Sequence, residues 1–179
     1  YGLPKYMQIA IDQMRTLTFV EWERMVENIE VPLDESEGFY RNLFDASWSR
    51  FTENLKTIMM SVTYFVEECS PEALRKTSGL SERQFTNALV FASDAYIEST
   101  GTGYTMHPLT HTFCRAVLNS DRNAEFHQQS SLRFVEYFSF FARTARESNQ
   151  SDRLENEIRN IIAAARLAEG LREWRHLVG

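Results

Sequence analysis

The chain has 179 residues, 43% of them hydrophobic, and a net charge of −6. That length and composition suit a globular chain with a real core, and they exclude a disordered tail. Lys and Arg are scattered with no basic run, which argues against a protein that lives on phosphate backbones.

The two cysteines, Cys69 and Cys114, are too few and too far apart for a disulfide framework, so a reducing cytoplasm is the simplest expectation. No stretch approaches the apolar length of a membrane span, and no secretory signal is visible. Both ends read as cut. The chain opens on Tyr1-Gly2-Leu3-Pro4 without Met, and it closes on the apolar helical face of Leu171, Trp174, Leu177 and Val178.

Three blocks are expected, at 1–35, 36–119 and 120–179. In the first, Tyr6, Ile9, Ala10, Met14 and Leu17 repeat at helical spacing, and Phe19, Trp22, Met25, Val26 and Ile29 mark a second helix. Val31-Pro32 stops it, because proline blocks helix continuation. Asp34 to Gly38 reads as a linker.

The second block predicts a helix over Phe39 to Trp48 and another carrying Leu55, Ile58, Met59, Val62, Tyr64 and Phe65. Ser70-Pro71-Glu72 opens a short helix: a cap, a proline in the first turn and an anion at the positive end of the dipole. Ser78-Gly79 closes it. Ser81-Glu82-Arg83-Gln84 is a capping box for a helix carrying Phe85, Leu89 and Phe91. Ala95 to Glu98 and Tyr104 to Met106 flank a Gly-containing loop and predict a β-hairpin. Pro108 then starts a helix through Phe113, Val117 and Leu118. This is the element order of a winged helix.

The third block predicts helices only. Leu132, Val135, Phe138 and Ala142 share one face, with Phe134, Tyr137 and Phe141 beside it. Leu154, Ile158, Ile161, Ile162, Ala165 and Ala168 mark the next, with Asp152 and Glu155 as its capping box and Gly170 as its end. The expected class is mainly α: a winged helix with one hairpin, flanked by helical segments, with a helical-repeat or TPR-like start at the C-terminus.

His107 stands out. It falls where the hairpin meets the helix opened by Pro108, beside unpaired backbone N–H groups. It is either a structural capping histidine or a phosphate contact at a helix start. His107, His111 and Cys114 at i, i+4 and i+7 suggest three metal ligands on one face. His107 precedes the helix, however, and no fourth ligand follows, so no metal is expected. The aromatic run from Phe134 to Phe141 has the spacing of helix packing rather than of a stacking platform.

As a DNA reader, the helix from Glu82 to Asp94 is poorly equipped. Arg83 is its lone cation, Gln84 and Asn87 add little, and the hairpin carries neither Lys nor Arg. An enzyme of its own is not expected either. There is no phosphate-binding Gly-rich loop with Lys, no nucleophile elbow and no HExxH.

Four strings together resemble one family. Gly2-Leu3-Pro4 before an amphipathic helix is similar to the GLPL motif of the STAND signal-transduction ATPases of the NB-ARC or AP-ATPase type. Leu43-Phe44-Asp45-Ala46-Ser47-Trp48 resembles the LFDxSW string that opens their winged helix. Tyr104-Thr105-Met106-His107-Pro108-Leu109 resembles the YxxHPL string of bacterial members, equivalent to the MHD motif of their relatives. Leu154 to Ile161 resembles the LExExxNLxAAL helix that begins their helical sensor region. The strings occur in the family's order and span nearly the whole chain.

The resemblance implies a regulatory fragment whose nucleotide-binding domain lies upstream. It implies ADP or ATP in the parent protein, with none held by the fragment alone. Pro4 would pack near the adenine, and His107 would contact the β-phosphate of ADP and latch the closed, inactive state. The implied partners are the parent's own nucleotide-binding domain in cis, an unknown ligand at the helical sensor, and further copies in an activated oligomer. Lys5 and Tyr6 depart from the small and apolar residues usual after GLP. Pro108 stands where the eukaryotic motif has Asp, so that residue's role does not transfer. The rival expectations are a DNA-binding winged-helix regulator and a helical interaction scaffold.

Overall fold

The structure, a computed structural model, describes residues 44–45 and 47–171. Pro4, the helices expected in the first block and the linker at 34–38 lie outside the described residues, as do Trp174, Leu177 and Val178.

Among the described residues the fold is mainly helical with one two-stranded antiparallel hairpin. Phe44, Asp45, Ser47 and Trp48 are helical. Then come α1 (Glu53–Val62), α2 (Pro71–Ser78), α3 (Glu82–Ala95), β1 (Ile97–Ser99), β2 (Tyr104–Met106) and α4 (Pro108–Leu118). A 3₁₀ turn at Asp121–Asn123 leads into α5 (Ala124–Glu147), and α6 (Ser151–Leu171) follows.

Local chemistry sets most of these boundaries. Thr52, Ser70 and Ser81 each accept a hydrogen bond from the backbone N–H three residues on, capping α1, α2 and α3. Gln84 completes the capping box at Ser81. Gly79 takes the left-handed conformation, φ 72°, that ends α2. The strands pair Ile97 with Met106 and Ser99 with Tyr104. Cys69 adds a bridge on the far side of Tyr104. The chain order is α1, the bridge at Cys69, α2, α3 and the hairpin, which is the element order expected of a winged helix.

Four details differ from the pattern in the sequence. Helix α1 stops at Val62, and Tyr64 and Phe65 turn away from it toward α5. Helix α3 runs on through Ala95, so the first strand starts at Ile97; Tyr96 is the C-cap, with its ring edge-on to Phe44 and Phe51. Helix α6 begins at Ser151, which puts Asp152 inside its first turn rather than at its cap. Gly170 does not end that helix, because glycine weakens a helix without forbidding it.

The core is continuous. Phe44, Ile58, Met59, Leu74 and Ile97 from the winged helix join Phe134, Phe138 and Ala164 from the last two helices in one buried cluster. Helices α5 and α6 pack on each other as a single helical hairpin, α2 packs on α5, and α1 packs on α2, α3 and α4. Polar contacts fasten the same seam. Arg133 on α5 donates to the carbonyls of Thr77 and Ser78, the last residues of α2. Cations at a helix C-terminus meet carbonyls with no partner in the helix.

Tyr64 is the centre of that seam. Its ring stacks on Phe134 at 5.6 Å, and its hydroxyl donates to the His127 carbonyl at 3.0 Å. The same oxygen lies 2.8 Å from Ser130 Oγ and 3.2 Å from Ser131 Oγ. Burial raises the phenol pKa, against the opposing pull of both serines, Arg115 and Arg133. Tyr64→Phe is expected to lower stability by about 1–2 kcal/mol, the net value of a satisfied buried hydroxyl. Thermal unfolding should show a Tm lower by several degrees. The raised phenol pKa favours the fold fully below its ordinary value of about 10. That contribution falls away as pH rises through the folded value, so Tyr64→Phe should also soften the alkaline loss of stability.

Candidate functional site

The corner between β2 and α4 carries His107. Met106 closes the strand and is buried, which anchors the chain just before the corner. His107 then takes φ −56° and ψ 137°, a non-helical conformation suited to a helix cap. Its Nδ1 accepts from the Leu109 N–H at 3.3 Å. Its carbonyl accepts from the His111 N–H at 2.9 Å, the first turn of α4. Pro108 sits in the first turn, where its missing N–H costs nothing. The half-buried His107 is thus a capping histidine.

The cap has a chemical consequence. A neutral imidazole carries one proton, and an Nδ1 that accepts from a backbone N–H puts that proton on Nε2. Capping therefore fixes the tautomer as well as the corner. Pro4, the other residue expected at the site, lies outside the described residues.

His111 and Cys114 do not join His107 as ligands. Cys114 is fully buried, and burial pushes its thiol pKa up. Burial, with the Arg115 cation beside it, lowers the pKa of His111 against the Thr63 carbonyl's opposing pull. Among the described residues no three His, Cys, Asp or Glu side chains are grouped to hold a metal ion. No described helix is long and apolar enough to cross a membrane.

Sequence spacing missed a groove of about 970 Å³ on the other face of α4. Trp48, Met60, Leu109, Phe113 and Val117 line it, with Arg122 at its rim. Trp48 and Phe113 meet at 5.6 Å, and Phe113 meets Phe44 at 4.6 Å. Nothing in the spacing of Trp48 and Phe113, 65 residues apart, signals that they meet across helices.

The helix that would read DNA is α3. Its outer face presents Val90 and Phe91, which are 61% and 67% exposed. A major-groove reader needs cations and amides there.

Comparison with protein-family models, with curated proteins and with solved structures finds no match for this chain.

Two outcomes are expected. His107→Ala removes the cap and should lower stability by about 1 kcal/mol, whereas His107→Asn supplies another cap acceptor and should restore most of it; denaturant unfolding measures both. In fluorescence anisotropy at low salt, duplex DNA should bind no tighter than the ~10⁻⁴–10⁻⁶ M of non-specific association. Tight, salt-sensitive binding would instead favour a transcriptional regulator.

Proposed function

We propose that this chain is the regulatory, non-enzymatic part of a nucleotide-dependent signalling ATPase of the STAND class. Its winged helix acts as an ADP-sensing latch and joins the ATPase to a helical sensor. The observation that carries this reading is the Nδ1 cap at His107. It directs the ring proton to Nε2 at the start of a helix, where partial positive charge already favours an anion. A resident nucleotide would be ADP or ATP, held mainly by a nucleotide-binding domain of the parent. Pro4 would pack against the base, and His107 would donate to a phosphate oxygen.

The partners follow from that role: the parent's nucleotide-binding domain in cis, a ligand or protein at the helical segment, and other copies after activation. DNA is disfavoured by Val90 and Phe91 on α3. A cytoplasmic setting fits two buried thiols, with burial raising the pKa of Cys69 to about 12. A second reading, a helical interaction scaffold, draws on the same exposed Val90 and Phe91.

The variant pair at His107 separates latch from cap. A charge-assisted bond made only in the closed state is worth roughly 1.5–3 kcal/mol, so losing it shifts the closed–open balance about tenfold to a hundredfold toward open. In the complete protein, both His107→Ala and His107→Asn should speed ADP release by that factor. Asn keeps a cap acceptor but is shorter than the imidazole. Stopped-flow release of a fluorescent ADP measures it. Unchanged release in both folded variants would reduce His107 to its capping role.

A further inference from the structure

Asn160 on α6 is a buried amide, 3% exposed, in the seam between the helical hairpin and the winged helix. Its side chain is fully engaged. Oδ1 accepts from the Val66 N–H at 3.0 Å, and Nδ2 donates to the Glu68 carbonyl at 3.2 Å. Nδ2 also donates to Glu157 Oε2 at 2.7 Å, one turn back on the same helix. Asn160 therefore pairs one donor and one acceptor of the loop between α1 and α2, and Glu157 on its own helix orients it for that grip.

The gripped loop leads directly to His107. The residue after Glu68 is Cys69, whose N–H and carbonyl both pair with Tyr104, at 2.8 and 2.9 Å. Tyr104 opens β2, and β2 ends one residue before His107. Two further contacts bind the loop to the hairpin. Thr102 at the hairpin tip donates to Glu68 Oε1 at 2.7 Å. Gly103 lies so close to the loop that a Cβ there would sit 2.6 Å from the Cys69 carbonyl oxygen. The strand cannot slide past the loop without moving backbone.

We infer that Asn160 is a positioning residue: through Val66 and Glu68 it sets the Cys69–Tyr104 bridge, and so fixes from the helical hairpin the strand that delivers His107. The physical reason is register. Apolar faces tolerate small slides, but a slide here would leave the Val66 N–H and the Glu68 carbonyl without the amide that pairs them. The Arg159–Glu67 ion pair crosses the same seam, but its side chains are 65% and 51% exposed, and such pairs hold geometry weakly. The inference rests on reading His107 as the nucleotide-facing residue. Its test needs no nucleotide, so the two fail separately.

The test is amide hydrogen exchange by NMR on the 179-residue chain, with the His107 imidazole resonances as a second readout. In Asn160→Ala the Cys69 and Tyr104 amides should exchange about tenfold faster, as expected for the loss of a buried hydrogen bond. The His107 resonances should shift, while Ile58 and Met59 in α1 keep their protection. Arg159→Ala should change none of these. If Asn160→Ala does not fold, Asn160→Ser is read the same way. Unchanged exchange at Cys69 and Tyr104 would overturn the inference. So would a uniform rise across the core, equal loosening in Arg159→Ala, or failure of both Asn160 variants to fold.

Discussion

The Tyr64 hydroxyl is the contact on which the rest of the structure depends. It closes the turn after α1 against the His127 carbonyl and two serines of α5. A phenol this deep is tolerated only because every polar neighbour is paired: Ser130 Oγ also bonds the Phe126 carbonyl at 2.6 Å. The Arg115 guanidinium lies 5.7 Å over the Tyr64 ring and donates to the Thr63 carbonyl, so α4 is held to the same turn. One turn thus ties α1, α4 and α5 together. The corner at His107 is built on the first turn of α4.

Such an arrangement is what the proposed role as a joint requires. The buried cluster passes without interruption from Phe44 through Phe138 to Ala164. The helical hairpin and the winged helix therefore share one packed core rather than meeting as two loosely tethered parts. The exposed side of α3 points the same way. It shows the apolar side chains of Val90 and Phe91 where a DNA reader would need cations and amides.

Local rules made much of this legible in the sequence. Ser70-Pro71, the Ser81–Gln84 box, Gly79 and Pro108 each act within four residues, and each marks the boundary the structure has. His107 is legible too, as a residue at a helix start, where spacing alone favours the structural cap and only the family resemblance raises the phosphate contact above it. The misreadings came where distant packing overrides local preference. Tyr96 was read as strand but closes α3 because Phe44 and Phe51 hold its ring. Gly170 is a separate case: no distant packing holds it, and it stays helical because glycine weakens a helix without forbidding it. Asn160 falls on the N of the LExExxNL-like string, but its grip on Val66 and Glu68, like that of Arg133 on Thr77 and Ser78, joins residues more than 50 apart, and no spacing rule reaches that far.

The central claim is that the ring whose Nδ1 caps α4 offers its Nε2 proton to a nucleotide phosphate. The most direct test is the ¹⁵N spectrum of the His107 imidazole in the complete protein, with and without ADP. The account predicts an unprotonated Nδ1 in both states and an Nε2–H resonance that shifts on ADP binding as a bond to phosphate forms. His107 nitrogen signals that stay the same while ADP saturates the protein would contradict it.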